Sequence, residues 1–253
     1  MPRVRADQLV QRQGLAESRA KAQALILAGE IVSGEHRVEK PGQLIDEAAP
    51  LRRKGAPAGT PEAEALKYVS RGGVKLAHAL DKFALDPRGL VCVDLGASTG
   101  GFTDVLLQRG AKKVHAVDVG RGQLHPKLTS DARVVSHEKV NARSLSVDTL
   151  GERVGFAVAD LSFISLKLVL PALVSVLTPK ATCVVLVKPQ FEAGRAEVGK
   201  GGVVKDATVH LRVVTEIAQE FERLGLTVLG HDASPLLGPA GNREFVLAGR
   251  RSG

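Results

Sequence analysis

Three charged residues stand where apolar segments of the sequence end or begin. Asp160 closes the run FAVAD, Lys188 closes CVVLVK, and Glu244 precedes the last run, FVLAG. A fourth, Lys75, lies in the helical pattern SRGGVKLAHAL, whose apolar stripe does not require it. A lysine beside a sugar hydroxyl can lower the pKa of that weak acid or accept its proton, while carboxylates fix the direction of the ammonium groups. Together the four suit methylation of a hydroxyl aligned behind a methyl group; each alone also fits an exposed charge at a strand end.

These residues can meet only if the apolar segments are strands of one sheet. Strands are predicted at 91–95, 114–118, 133–136, 155–159, 182–187, 226–230 and 244–248. Helical patterns between most of them indicate βαβ units, so the predicted fold class is α/β, with a seven-stranded, mostly parallel, Rossmann-like sheet covered on both faces. If the last strand runs antiparallel, Glu244 lies with Asp160 and Lys188 at the carboxyl edge, where open α/β sheets bind ligands.

A glycine-rich turn, DLGASTGGF, follows the first of these strands and opens a helix. Its small residues let backbone N–H groups approach a ligand, but it has neither the G-x-G-x-x-G spacing of a dinucleotide site nor a Walker A lysine. Acidic residues before the turn and after the next strand suit a ligand that carries an ammonium group and a ribose, as S-adenosylmethionine does. An ordinary strand–turn–helix, or another nucleotide, stays open on this motif alone. The candidate cofactor residues are Asp94, Gly96, Ala97, Ser98, Thr99, Gly100, Gly101, Phe102 and Asp118.

The bulk composition is that of a soluble globular protein, with 44% hydrophobic and 25% charged residues among 253. A net charge of +8 favours a polyanionic partner, although the charge is spread along the chain. Cys92 and Cys183 lie inside apolar runs, which predicts inert thiols, no disulfide and no metal site. The N-terminal segment MPRVRADQLV lacks the apolar core of a signal peptide, and Lys167 and Pro171 interrupt the most apolar stretch. A cytoplasmic protein without a membrane partner is expected.

Three regions follow one another along the chain. Residues 1–48 contain a short helix pattern and a second helix from Ser18 to Ala28, then short β segments at 31–32 and 37–40. Residues 49–65 are rich in Ala, Pro, Gly and charge, which predicts a linker, and residues 66–253 form the α/β domain.

The first region resembles an S4 RNA-binding domain. The resemblance rests on Arg5, Asp7 and the segments GLAESRAKA, LAGEIVSG and VEKPG, although Ser33 stands where that family usually has another polar residue before its glycine. It implies that basic residues face structured RNA, with Arg5, Arg19, Lys21 and Lys40 near phosphates. The alternative is a small α/β cap with solvated charges.

The whole chain resembles the TlyA family of ribosomal RNA 2′-O-methyltransferases, in which an S4 domain precedes an FtsJ-like methyltransferase domain. The matching segments, in order, are KYVSRGGVKL, DLGASTGGFTDVLLQRGAKKVHAVDVGRGQL, NAR, ADLSFISL, LVKPQFE, GGVVKD and ASPLLGPAGNREF. The resemblance implies methyl transfer from S-adenosylmethionine to the 2′-hydroxyl of a cytidine. It assigns a catalytic tetrad to Lys75, Asp160, Lys188 and Glu244.

The same resemblance extends to further residues and to the partner. Asn141 would lie near the adenine, and Arg71, Arg195 and Lys200 would meet RNA, the last two on a loop, EAGRAEVGKGGVV, over the substrate. The long, proline-rich linker departs from the family. The lean termini favour 23S ribosomal RNA in the 50S subunit, with 16S RNA as an open second target. The expected protein is a monomer without a metal.

Two other functions compete with this interpretation. Members of the family also carry a haemolysin label, which suggests a membrane-active protein, but no stretch has the strong cationic face and bulky apolar face that insertion requires. A non-catalytic S4 ribosome-assembly factor is the other, and the intact Lys–Asp–Lys–Glu set argues against it.

Overall fold

The computed structural model describes residues 3–34, 36–53, 64–238 and 241–253. The chain divides into two compact units, residues 1–74 and 75–253. The N-terminal unit contains β1 (Arg3–Arg5), α1 (Ala6–Arg12), α2 (Arg19–Leu27), β2 (Ile31–Ser33), β3 (His36–Arg37), β4 (Leu44–Asp46), β5 (Leu51–Arg53) and a 3-10 helix at Ala65–Lys67.

The N-terminal unit packs two short helices against small antiparallel sheets. The sheets pair β1 with β4 and order the others β3-β2-β5. Ser18 caps α2 by accepting a hydrogen bond from the backbone N–H of Lys21 at 3.2 Å, as predicted from its position. Leu9, Val10 and Ile26 are buried in its core.

The predicted linker is partly structured. Leu51–Arg53 fall inside the segment 49–65 yet form β5, which pairs with β2 along its length. The sequence did not predict this strand, because alternating burial along three residues leaves almost no periodic pattern. Residues 54–63 of the same segment lie outside the described residues. The domain limits 1–48, 49–65 and 66–253 stay a prediction.

The C-terminal unit is built on one seven-stranded sheet. Helix α3 (Gly72–Lys82) leads into it. The other helices are α4 (Gly101–Gln108), α5 (Pro126–Thr129), α6 (Val147–Leu150), α7 (Leu170–Ser175), α8 (Pro189–Glu192) and α9 (Ala207–Arg223), with 3-10 turns at Ala142–Ser144, Leu166–Leu168 and Arg195–Glu197. The strands are β6 (Val91–Leu95), β7 (Lys113–Asp118), β8 (Val134–Glu138), β9 (Val154–Ala159), β10 (Leu177–Val187), β11 (Leu226–Ala233) and β12 (Phe245–Arg251).

The sheet has the order β11-β12-β10-β9-β6-β7-β8, which confirms the predicted fold class. Strands β8, β7, β6, β9 and β10 run parallel, while β12 runs antiparallel to both β10 and β11. The central strands are buried on both faces: every residue from Ala181 to Val187 is buried, which explains their nearly continuous apolar sequence. Helix α9 covers one face with Val213, Ile217 and Phe221.

The register brings the ends of three strands to one edge. Val185 of β10 is paired with Ala159 of β9, and Val187 is paired with Phe245 of β12. Asp160, Lys188 and Glu244, which adjoin these residues in the chain, therefore lie together, as the antiparallel last strand required. Among the described residues, no helix is both long and apolar enough to cross a membrane.

Candidate active site at the carboxyl edge of the sheet

Lys188 is held between two partners at the end of β10. Its Nζ lies 2.6 Å from Oδ1 of Asp160, which follows β9, and it donates a hydrogen bond to Oγ of Ser162 at 3.0 Å. Lys188 is buried, and its ammonium also lies 6.0 Å from the centre of the Phe191 ring. The ammonium therefore has little freedom, and its direction is set by a carboxylate and a hydroxyl.

Lys75 and Glu244 form a second, more deeply buried pair. Lys75 Nζ donates to Oε2 of Glu244 at 2.5 Å, and the two side chains are 8% and 0% exposed. The other carboxylate oxygen, Oε1, is buried without a hydrogen-bond partner among the described residues. Gly238 lies against it, since a Cβ at that position would be 2.5 Å from Oε1. An unpaired buried carboxylate oxygen is costly, and Oε1 keeps its acceptor capacity unused at this edge of the sheet.

The structure thus groups the four predicted catalytic residues into two lysine–carboxylate pairs. Neither pairing is visible in the sequence, because Lys75 and Glu244 lie 169 residues apart and Asp160 and Lys188 lie 28 residues apart. Two cations beside two carboxylates leave the group without net formal charge, so a neutral hydroxyl can approach it without a large electrostatic penalty.

The glycine-rich turn is joined to the same edge through its backbone. The N–H groups of Gly96 and Ala97 donate to the carbonyl of Val117 at 2.9 and 3.2 Å, and the N–H of Asp160 donates to the carbonyl of Leu95 at 3.0 Å. Gly96 has a φ of +78°, and a Cβ there would lie 2.4 Å from the carbonyl oxygen of Asp160. Only glycine fits this contact between the turn and the residue that holds Lys188.

Asp94 lies beneath the turn as a fully buried carboxylate. Its Oδ2 accepts a hydrogen bond from Oγ1 of Thr103 at 2.7 Å, whereas Oδ1 has no hydrogen-bond partner among the described residues. Burial raises the pKa of Asp94 to about 7, against the Thr103 hydrogen bond, and the nearby charges of Asp160 and Asp118 add to the rise. A cationic ligand group at Oδ1 would restore the ionised form, which fits the ammonium of S-adenosylmethionine.

Asp118 closes the other side of the turn. Its carboxylate accepts from the backbone N–H of Ser98 at 2.8 Å and from that of Gly120 at 2.7 Å. A surface depression beside it is lined by Ala97, Ser98, Ala116, Asp118, Gly120, Gln123, Leu124, Ser136 and Glu138. Two backbone N–H groups hold Asp118 in place, and its carboxylate keeps further acceptor capacity beside this depression.

The other predicted cofactor residues differ in their exposure to solvent. Ser98 is exposed, whereas Gly100, Gly101 and Phe102 are buried at the start of α4. Phe102 can therefore contribute only its backbone or packing, not an exposed ring. Asn141 follows β8, at the same edge, and its side chain accepts the backbone N–H of Arg143 at 3.0 Å.

The basic residues predicted to contact RNA differ in whether an ion pair holds their side chains. Arg5 and Arg19 both bind the buried carboxylate of Asp7, at 3.1 and 2.9 Å, and these contacts hold the pKa of Asp7 well below its usual range. The carboxylate fixes both guanidinium groups while leaving their outer N–H groups to solvent. The remaining candidates are Lys21, Lys40, Arg195 and Lys200, which are exposed, and Arg71, which is half-buried.

Sequence reasoning missed Ser162, Thr103 and Phe163. Ser162 follows Asp160 by two residues, whereas Thr103 follows Asp94 by nine, and no other sequence signal marked either hydroxyl. Phe163 is 90% exposed with a φ of +64°, and its ring centre lies 5.1 Å from that of Phe191. An exposed aromatic residue in the left-handed region is rare, and here it adjoins the residue that binds Lys188.

Comparison with known proteins connects these features to described families. The family described as FtsJ-like methyltransferase matches residues 68–251, and the S4 domain matches residues 4–49. A Mycobacterium tuberculosis protein named 16S/23S rRNA (cytidine-2'-O)-methyltransferase TlyA is 47% identical over 245 residues, covering 97% of this chain and 89% of that protein.

Two solved structures are also similar. One from Streptococcus thermophilus, which carries a hemolysin name, has a TM-score of 0.81 and 44% identity over 100% of this chain and 90% of the other. An S-adenosylmethionine dependent methyltransferase from Mesorhizobium loti has a TM-score of 0.53 and 15% identity over 68% of this chain and 96% of that one, which shows a shared fold.

Proposed function

The chain belongs to the FtsJ-like methyltransferase family, in its TlyA branch with an N-terminal S4 domain, and on this basis we propose that it methylates the 2′-hydroxyl of a cytidine in ribosomal RNA with S-adenosylmethionine as donor. The observation that carries the proposal is the place of Lys188. Its ammonium is fixed by Asp160 and Ser162, and Asp160 is in backbone contact with the glycine-rich turn. A group that can act on a hydroxyl thus adjoins a turn that can hold a nucleoside.

The residues of the turn fit the cofactor by their chemistry. The unpartnered Oδ1 of Asp94 suits an ammonium group, and Asp118, held by two backbone N–H groups, suits ribose hydroxyls. S-adenosylmethionine supplies the methyl group when bound. The turn from Gly96 to Phe102 and Asn141 would contact its remaining parts.

The two lysine pairs would prepare the acceptor. A ribose 2′-hydroxyl is a poor nucleophile until its proton is drawn away and its oxygen is aligned with the methyl group. Lys188 would hold that oxygen and lower the pKa of the hydroxyl, with Ser162 keeping the ammonium pointed at it. The released proton would pass to the Asp160 carboxylate as the oxygen is methylated. Lys75 and Glu244 would form the other wall, where the free Oε1 of Glu244 can accept a hydrogen bond from the substrate. Groups placed in this way contribute roughly 10²–10⁴-fold to rate.

RNA would be recognised mainly through its phosphates and shape. Arg5 and Arg19 would contact phosphates from the S4 domain together with Lys21, Lys40 and Arg71. Arg195 and Lys200 would do so beside the methyltransferase site. The exposed Phe163 offers one ring on which an unstacked base can lie.

The choice of RNA is a finer part of the proposal. We favour 23S RNA in the 50S subunit, with 16S RNA as a second target. The protein would act as a monomer in the cytoplasm, where ribosomes are found. The haemolysin and assembly-factor alternatives have no comparable support, since neither uses two buried lysine–carboxylate pairs beside a nucleoside turn.

The test is transfer of labelled methyl groups from S-adenosylmethionine to 30S subunits, 50S subunits and naked rRNA. Lys188→Ala should lower kcat by at least about 10²-fold. Arg223→Ala is the matched control, because Arg223 pairs with Glu220 at 2.6 Å on the surface at the end of α9, and the substitution should leave the rate unchanged. If the phosphodiester bond next to the labelled nucleotide resists alkaline hydrolysis, the methyl group is on the 2′-oxygen. A folded, cofactor-binding protein that labels no ribosomal substrate would refute the proposal.

A further inference from the structure

Asn242 connects two segments that the proposed reaction uses separately. Its side chain is 2% exposed, two residues before Glu244. Its Oδ1 accepts the backbone N–H of Val204 at 3.0 Å, and its Nδ2 donates to the carbonyl of Gly202 at 2.8 Å. Because Val204 N–H can only donate and Gly202 C=O can only accept, the amide has one satisfactory orientation and both its ends are used.

The segment that Asn242 binds is a tight turn. Gly199 and Val203 form an isolated antiparallel bridge, and the N–H of Gly202 donates to the carbonyl of Gly199 at 3.0 Å. Lys200 lies on this turn with its side chain exposed. The Asn242 side chain joins this turn to the segment that precedes β12 and carries Glu244, and the ring of His210 in α9 binds the carbonyl of Val204 at 2.9 Å.

The preceding part of the same glycine-rich segment is anchored differently. Arg195–Glu197 form a 3-10 turn, and both carboxylate oxygens of Glu197 bind Arg212 of α9 at 2.6 and 2.7 Å. The part of the segment that carries Arg195 is thus held by the Glu197 ion pair, and the part that carries Lys200 is held by Asn242. The two predicted RNA cations of one loop can thus be separated by experiment.

The backbone of Asn242 also reaches the residue that lies against Glu244. Its carbonyl accepts the N–H of Gly238 at 2.8 Å, and Gly238 is packed on the Glu244 carboxylate. One residue therefore adjoins both the Lys200 turn and the buried pair of Glu244 and Lys75.

From these contacts we infer that Asn242 is a positioning residue that fixes the Gly199–Val203 turn, and with it Lys200, against the active-site strand, so that Lys200 meets a phosphate next to the reacting ribose. The inference rests on the proposed methylation of RNA. It predicts that Asn242 affects RNA binding by positioning Lys200 and not by positioning Arg195.

The experiment compares Asn242→Ala with wild type, alone and in the Lys200→Ala and Arg195→Ala backgrounds. Asn242→Ala should raise the KM for RNA about 3- to 10-fold. The slope of log KM against log salt concentration should fall by about one, which corresponds to the loss of one phosphate contact. The KM for S-adenosylmethionine should not change. In the Lys200→Ala background the substitution should add almost nothing, whereas in the Arg195→Ala background it should add its full effect.

Two controls separate positioning from general damage. Thr208→Ala removes the Thr208 hydrogen bond to Asp206 at 2.7 Å, at the start of α9, and should leave the RNA KM unchanged. Hydrogen exchange of the peptide spanning 199–206 should become faster in Asn242→Ala and stay as in wild type in Thr208→Ala. If Asn242→Ala does not fold, Asn242→Ser, which keeps an acceptor for Val204 N–H, replaces it.

The outcomes are distinct. A full effect of Asn242→Ala in the Lys200→Ala background, or no change in RNA KM, overturns the role of Asn242 while the methyltransferase activity stands. Unchanged exchange of the turn also overturns it. A wild-type protein that methylates no RNA refutes the proposed function itself, and the inference with it.

Discussion

Breaking the buried pair of Lys75 and Glu244 should cost far more stability than breaking a pair at the surface. Their side chains are 8% and 0% exposed and lie 2.5 Å apart. Removing one partner leaves a charge with neither water nor a counter-ion, which typically costs about 3–5 kcal/mol. For a unit of this size each kcal/mol shifts Tm by about 2–4 °C, so a drop of about 6–20 °C is expected.

The test uses Lys75→Met, Glu244→Met and the double variant. Met matches the length of both side chains without a charge. Each single variant should show the full loss in Tm, whereas the double variant should recover most of it, because an apolar pair avoids the cost of burying charge. Thermal melts followed by circular dichroism, with methyl transfer measured on the same samples, give both quantities.

The methyl-transfer rate separates stability from chemistry. All three variants should lose activity, including the double variant, which is folded. The surface pair of Lys167 and Glu216 provides the control for stability. Lys167→Ala should cost no more than about 1 kcal/mol, which corresponds to a drop in Tm of about 2–4 °C. Single variants that melt within the range of this control would refute the burial argument, and an active double variant would refute the proposed role of the pair.

Three further predictions follow from single side chains. Burial raises the pKa of Asp94 to about 7, so ionisation of this carboxyl should reduce the stability of the cofactor-free protein as pH rises from about 4 through 7, and S-adenosylmethionine affinity by calorimetry should fall below pH 7. The Asp94 contribution is the difference between wild type and Asp94→Asn, which should lack both dependences. Gly96→Ala should destabilise the protein more in urea than Gly151→Ala, because the two glycines have nearly the same φ, +78° and +79°, but only Gly151 has open space around it. Burial lowers the pKa values of His115 and His137, whose rings are hydrogen-bonded at 2.9 Å, so protonation of this pair should reduce stability as pH falls below about 6.5, and the difference between wild type and His137→Gln measures that contribution.

The parallel core could be predicted because each of its strands is buried on both faces. A run such as the one ending at Val187 is apolar along its length, and a polar residue at its end marks the carboxyl edge. An antiparallel last strand places Glu244 at the same edge as Lys188, as expected from the sequence. Among the three-residue strands, Arg3–Arg5 and Leu44–Asp46 were not predicted and Leu51–Arg53 lies in the segment assigned to a linker, since burial along three residues produces no recognisable period.

The site could be predicted as a set of residues but not as a set of contacts. Which lysine binds which carboxylate depends on the register of β9, β10 and β12, and on where α3 begins. The role of Asn242 depends on backbone groups of a glycine turn that no side-chain pattern reports. Positive φ at Phe163 is likewise set by surrounding structure and not by the residue type.

The position of β12 also sets an order of assembly. It lies between β10 and β11 although it follows both in the chain. Until it enters, β10 is an open edge with a long apolar run, and β11 has no strand to pair with, which is the type of surface that promotes aggregation during synthesis. Glu244 enters the structure with this strand. The strand that covers the edge of β10 therefore also brings in the partner of Lys75, so a chain in which β12 has not yet paired lacks both the covered edge and the buried ion pair.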